Sequence, residues 1–408
     1  MNAAARTLRQ DARVIGLISV AHGLSHFYQL VIAVLFPLIK DDLGVSYAAL
    51  GATTALFYTV SGVCQTAAGF MVDRYGARRV LVAGLALCSA GVFLAGVAHS
   101  YLALVVAAAV AGVGNSVFHP ADFAILNARV EQRRLGYAFS FHGIGGTIGW
   151  ALAPAFSYGV SALYGWHAAL MASAALGVLM LALILAAGDS LAVERPHAAA
   201  KAAAASSLAA DVRVLLQTPV LMCFFFFMLL AAALIGVQSF GVAALMDYYR
   251  APVAAASAAL TAYLIGSAAG ILFGGYVAGR TARHDLVAAA GMAGSALCML
   301  TVALGALAPA LLAPLLALSG FLSGTTNPSR DLLVRAATPK GAAGKVYGFV
   351  YSGLDVGSMA VPVLYGWLLD RGLPQGVFYG VFALLLLTVL TVLQLPEKGR
   401  RVQIQGVQ

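Results

Sequence analysis

The sequence predicts an all-α integral membrane protein, with twelve transmembrane helices in two pseudo-symmetric six-helix bundles. The first observation behind this is a repeat. Residues 112–154 and 320–362 are one passage written twice, 208 positions apart in a chain of 408 residues. Gly112, Pro120, Gly136, Phe141, Gly145, Gly149 and Pro154 recur as Gly320, Pro328, Gly344, Phe349, Gly353, Gly357 and Pro362. A repeat at half the chain length means two homologous halves and not a solenoid, whose periods are far shorter. The second observation is composition. Apolar residues make up 62% of the chain and charged residues 10%, with a mean hydropathy of +0.91, whereas a soluble domain carries about 25% charge. Many secondary transporters are built from two similar membrane-embedded halves, with substrate held at the midplane between them.

A helix needs ~20 apolar residues to cross a bilayer. Runs of that kind fall near 14–39, 48–72, 80–98, 101–126, 136–160 and 165–187 in the first half. The second half supplies 218–246, 256–279, 286–308, 311–335, 344–368 and 375–394. The segment before the first run, Met1 to Arg13, is polar and has no cleavage-type signal, and the run itself is too long for a signal-peptide core. An Ala-rich connection with scattered charge joins the halves. The domains are therefore predicted as 1–190, a cytoplasmic linker 191–217, and 218–408 with a short cytoplasmic tail.

Short loops rich in Lys and Arg mark the cytoplasmic side. With both termini inside, every Lys and Arg falls in inside loops or tails except Lys40, Arg250 and Arg371. That bias places a multi-pass chain in the inner membrane with both ends in the cytoplasm. The basic excess, 24 Lys and Arg against 15 Asp and Glu, sits in those loops and gives no reason to expect nucleic acid. Cys64, Cys88, Cys223 and Cys298 all lie inside apolar runs, where buried thiols are expected. Their spacing suits neither a disulfide framework nor a metal site.

Between spans two and three stands Gly69-Phe-Met-Val-Asp73-Arg74-Tyr-Gly76-Ala-Arg78-Arg79. It resembles the G-x-x-x-D-R-x-G-R-R loop of the major facilitator superfamily, with Ala77 at one of the basic positions. A worn copy, Gly275-Tyr-Val-Ala-Gly279-Arg280, occupies the same place in the second half. The resemblance implies the twelve-helix fold of that superfamily and a cytoplasmic gate made of Gly69, Asp73, Arg74, Gly76, Arg78 and Arg79. In physical terms, small Gly69 would let two helices approach closely and Asp73 would sit against a helix N-terminus. Arg74, Arg78 and Arg79 would pair across the seam between halves. Alternatively, the arginines only set orientation by the positive-inside effect.

Span four ends Gly112-Val-Gly114-Asn115-Ser116-Val117-Phe118-His119-Pro120. This is similar to the G-x-x-S-V-F-H-P stretch of the fosmidomycin-resistance branch of the superfamily. Ser25-His26 in span one and Gly145-Gly146…Pro154 in span five resemble that branch too. Ala121 and Leu30 stand where the branch usually has acids. The resemblance implies a proton-driven exporter of small polar compounds.

Ionisable residues inside spans are costly and usually functional. Asp355 lies in span eleven between Gly353 and Gly357, and shares a helical face with Tyr347 and Tyr351 at i, i+4, i+8. It is the first candidate for proton coupling, unless a tyrosine or histidine holds it as a structural carboxylate. His26 is the second, because histidine titrates near neutrality; otherwise it is a substrate hydrogen-bonder or an interhelical contact. His119 precedes a proline and reads as structural, and Asp122, toward the cytoplasmic end of span four, reads as a cap or loop ion pair. The candidate substrate cavity comprises His22, Gln29, Tyr58, Asn115, His119, His142, Gln238, Tyr263, Asn327 and Tyr351. Each of these, taken singly, is also explained by packing between helices. Arg330, Asp331 and Arg335 read as a second gate or topological anchor.

The expected function is a secondary carrier that moves a small polar or amphiphilic solute by alternating access, as proton-coupled efflux. The alternative is a proton-coupled importer of a metabolite such as an organic acid or sugar derivative. Because no Arg or Lys falls at mid-depth in any span, a permanently anionic substrate is disfavoured. A remote alternative is a membrane metal carrier or metalloenzyme using His22 and His26, whose i, i+4 spacing could place two imidazoles on one ion. Against it, no acid follows on the same helix face. No metal and no cofactor is expected, and there is no phosphate-cradling nucleotide motif. An enzyme, receptor or scaffold finds no support in the short loops. The expected partners are a small-molecule substrate, protons and the lipid bilayer, with the chain a monomer.

Overall fold

A computed structural model describes residues 8–131, 134–191, 213–339 and 343–394. Most of the predicted linker, 192–212, lies outside them. The chain falls into two compact units, Met1–Ala199 and Ala200–Gln408. Among the described residues both are helical, without strands.

The first unit contains α1 (Leu8–Val31), α2 (Phe36–Leu43), α3 (Tyr47–Tyr75), α4 (Ala77–Gly96), α5 (Tyr101–Asn115), α6 (Phe118–Arg129) and α7 (Leu135–Ala186). The second contains α8 (Thr218–Ile235), α9 (Gly241–Tyr249), α10 (Val253–Ala278), α11 (His284–Ala303), α12 (Leu312–Thr325) and α13 (Asn327–Ala337). It continues with α14 (Ala343–Ala360), α15 (Pro362–Asp370) and α16 (Gln375–Leu393). Ten helical stretches among the described residues are long and apolar enough to cross a membrane. One of them holds predicted spans five and six, because α7 is two helices joined at Gly165, whose φ of 81° breaks the helix without a loop. Predicted span eleven is met by α14 and α15, separated at Val361.

Hydropathy does not reveal that several spans are broken. The first bends through a 3₁₀ turn, Ala33–Leu35, before α2; the fourth breaks between α5 and α6, and the tenth at Thr326 between α12 and α13. Pro37, Pro120, Pro328 and Pro362 each lie in the first turn after such a break. Proline has no N–H for the preceding turn and its ring crowds that turn's carbonyl. Span seven passes through a π turn, Gly236–Phe240, which contains buried Gln238.

The duplicated glycines explain why the repeat exists. A Cβ on Gly149 would collide with the carbonyl of Gly23 on α1, and one on Gly357 with the carbonyl of Met228 on α8. Gly145 and Gly353, one turn earlier, press on Ser19 and Phe224 in the same way, at 2.5 and 2.7 Å. Equivalent small residues thus give both units the same close helix pair, α1 with α7 and α8 with α14. Close contact in the first unit sets His22 and His26 against His142 and Trp150.

Candidate functional site

Five titratable side chains of the first unit converge. His22 stacks on His142, with ring centroids 3.6 Å apart and planes at 19°. The His26 ring lies 4.4 Å from that of His22, and the His119 ring 5.1 Å from it. Asp122 completes the group: its Oδ2 is 3.1 Å from His142 Nε2 and 3.4 Å from His22 Nδ1. His22, Asp122 and His142 are buried, while His119 is exposed and His26 half-buried. The donor atoms of the buried three lie within 4.8 Å of one another, so these residues could hold a metal ion. His22 Nδ1, His26 Nδ1 and Asp122 Oδ1 have no hydrogen-bond partner among the described residues.

A second network leads away from this group. Trp150 stacks on His26, with centroids 4.2 Å apart, and its Nε1–H donates to Gln29 Oε1 (3.1 Å). Gln29 Nε2 donates to Asn115 Oδ1 (3.2 Å), and Asn115 Nδ2 donates to Ser61 Oγ (2.8 Å). One chain of amides thus joins α7, α1, α5 and α3.

The sequence-based reading of Asp122 as a cap or loop ion pair is overturned. It stands inside α6, fully buried, with two imidazoles on one of its oxygens. The reasoning against a metal site also changes: the acid missing from the helix face of His22 arrives from α6. Trp150 was not singled out by the sequence. Its only signal is helical spacing, eight residues after His142 and four after Gly146. Tyr58 packs beside Phe57, Ala108 and Ala111.

In the second unit Asp355 is half-buried in α14. It makes no hydrogen bond or ion pair with any described residue, whereas the other buried or half-buried carboxylates with described side chains are paired. Asp11 meets Arg134 at 2.7 Å, Asp285 meets Arg283 at 3.1 Å, and Asp122 meets the histidines. Tyr347 and Tyr351 stack 6.1 Å apart on the same face of α14. Neither holds Asp355; the Tyr351 hydroxyl donates to Asp331 Oδ1 (3.1 Å). Arg330 pairs with the same oxygen at 3.1 Å and lies 4.4 Å from the centre of the Phe227 ring. Tyr263 and Gln238 are buried, and Asn327 is half-buried at the head of α13.

The predicted gate loop is a tight corner. Gly76 joins α3 to α4 with φ 90°, a conformation that L side chains rarely adopt. A Cβ on Gly69 would meet nothing within 4 Å. Within the first unit Arg78 Nη2 donates to the Leu185 carbonyl (3.1 Å) in the last turn of α7, where a cation meets free carbonyls and the negative end of the helix. Arg74 lies over the Tyr75 ring and Arg79 is exposed. The Asp73 side chain lies outside the described residues.

Comparison with known proteins gives this arrangement its family. The fosmidomycin resistance protein of Escherichia coli K12 is 30% identical over 157 residues, an alignment spanning 38% of each chain. A probable L-galactonate transporter of the same organism is 25% identical over 142 residues, 35% of this chain and 31% of that one. The aligned region thus spans only about a third of the length of these curated relatives. Whole-chain likeness comes from solved structures. A bacterial homologue of the human lysosomal transporter Spinster superposes with a TM-score of 0.79 at 13% identity, covering 98% of this chain and all of that one. The nucleoside transporter NupG gives a TM-score of 0.71 at 17% identity, covering 95% of this chain and 99% of that one. These relatives are transporters and not enzymes. The pattern of the Major Facilitator Superfamily matches residues 18–245 and 228–408, and the chain belongs to that superfamily of secondary transporters.

Proposed function

We propose that this chain moves a small polar or amphiphilic solute across the inner membrane by alternating access, in exchange for protons, and that Asp355 takes and releases the proton. Asp355 carries the reading, because it alone among the buried and half-buried acids with described side chains has no partner there. A carboxylate fixed by an ion pair keeps one charge throughout, whereas an unpaired one in a low-dielectric span is free to change its protonation as its surroundings change. The first unit supports the choice of solute. His119 is exposed and His26, Gln29 and Trp150 are half-buried, so these residues offer imidazole, amide and indole groups to a solute. Efflux is supported by likeness to the fosmidomycin resistance protein, and the bias of basic loops supports cytoplasmic termini. A second reading, proton-coupled import of an organic acid or sugar derivative, is supported by likeness to the probable L-galactonate transporter.

The test uses purified protein in liposomes carrying a pH-sensitive dye, wild type against Asp355→Asn. Candidate solutes are added to one side. Solute-dependent proton movement is expected in the wild type and is expected to fall to the level of empty liposomes in the variant. Its sign separates exchange from cotransport. Proton movement that survives in Asp355→Asn, or solute flux with no proton movement in the wild type, overturns the assignment.

A further inference from the structure

We propose that His22, Asp122 and His142 bind one divalent transition-metal ion of the zinc type inside the first unit. The donor set is right for such an ion: two imidazole nitrogens and a carboxylate oxygen, borderline ligands that suit Zn²⁺ and its neighbours better than Mg²⁺ or Ca²⁺. Two of the three donor separations suit such an ion, and all three donors lie within 4.8 Å of one another. Ligands held about 2.0–2.1 Å from a tetrahedral zinc lie roughly 3.3 Å from each other. Asp122 Oδ2 lies 3.1 Å from His142 Nε2 and 3.4 Å from His22 Nδ1. Three helices, α1, α6 and α7, supply one ligand each, so the fold and not a flexible loop brings the donors together.

The unsatisfied atoms separate a metal site from a hydrogen-bonded acid–base cluster. Both histidines converge on one oxygen of Asp122, while the other, Oδ1, is buried with no partner among the described residues. Leaving a buried acceptor unsatisfied is costly, and a carboxylate on a metal can use both oxygens. His22 Nδ1 is likewise buried without a hydrogen-bond partner and faces the same carboxylate. Behind the ligands the packing leaves no slack. A Cβ on Gly146 would stand 2.7 Å from His26 Nδ1 and 3.1 Å from His22 Nε2, so a bare backbone there lets both rings sit side by side. His119, exposed and 5.1 Å from the His22 ring, gives an ion a first ligand on the way in. Binding would hold both imidazoles deprotonated at the ligating nitrogen and the carboxylate ionised. Asp355 plays no part in this site, so its failure leaves the transport reading untouched.

The test takes untagged, chelator-stripped full-length protein in detergent micelles and titrates it with Co²⁺. Tetrahedral Co²⁺ absorption is read, followed by displacement with Zn²⁺. One equivalent is expected to bind. Asp122→Asn, nearly isosteric, and His142→Gln should each weaken binding by more than ~100-fold, beyond the 10–100-fold that outer partners cost. His167→Gln should leave it unchanged; His167 and Asp42, 3.6 Å apart and partly exposed, form the competing surface pair. X-ray absorption of the zinc-loaded wild type needs no variant and should count two imidazoles. Absence of the one-equivalent site, binding lost in His167→Gln but kept in Asp122→Asn, or fewer than two imidazoles would each overturn the proposal.

Discussion

Gly149→Ala is expected to destabilise the first unit sharply, although it adds a single methyl group. That methyl would enter the space of the Gly23 carbonyl, which is backbone and cannot rotate away. Relief requires α1 and α7 to separate along the seam where Ser19 meets Gly145 and where His22 stacks on His142. Overpacking of this kind costs ~1–3 kcal/mol, and a backbone obstacle puts this case at the upper end. Gly143→Ala, in the same helix, is the matched control. Its new methyl meets nothing within 4 Å, so the better helix propensity of alanine should make it neutral or stabilising by up to ~1 kcal/mol. The second unit repeats the experiment: Gly357→Ala collides with the Met228 carbonyl, and Gly348→Ala meets open space. Thermal unfolding of the four purified variants in one detergent reads all of this. Equal stability of Gly149→Ala and Gly143→Ala would refute the close helix contact.

The same glycines show what was legible in the sequence. Their recurrence at a fixed offset announced two homologous halves, and the apolar runs placed the helices, because both are properties of one strand of sequence. The breaks within spans were not read, although Pro37, Pro120, Pro328 and Pro362 mark them. Hydropathy responds to side chains, whereas a proline break is a failure of backbone hydrogen bonding. Helical spacing put His22 with His26 on a common face. It could not say which face meets which, so the pairing of His22 with His142 and Asp122 became visible only with the fold. Asp122 was misread because nearness to a loop in sequence was taken as nearness to water. Tyr351 shows the same limit in reverse: it shares a face with Asp355 and bonds Asp331.

Arg134→Leu is expected to cost ~3–5 kcal/mol, because it strands a buried carboxylate. Asp11 is fully buried in the first turn of α1. Its Oδ2 accepts from Arg134 Nε at 2.7 Å and from the Glu131 backbone N–H at 3.0 Å. The guanidinium is itself largely buried, 14% exposed, so solvent does little to replace it. A buried ion pair is worth little against a well-packed apolar pair, but losing one partner leaves the other charged and desolvated. The double variant Asp11→Leu/Arg134→Leu should therefore be more stable than Arg134→Leu alone, which a surface pair would not show. Thermal unfolding of the single and double variants decides it, and a double variant no better than Arg134→Leu would mean the carboxylate was never dependent on the arginine. The consequence reaches the site. Asp11 opens the helix that carries His22 and His26, and Arg134 immediately precedes the helix that carries His142. The ion pair fixes the ends of the two helices whose glycine seam fixes their middles. Loosening it should also reduce Co²⁺ binding at the histidine cluster, while the double variant, with its helix ends repacked, should recover part of that loss.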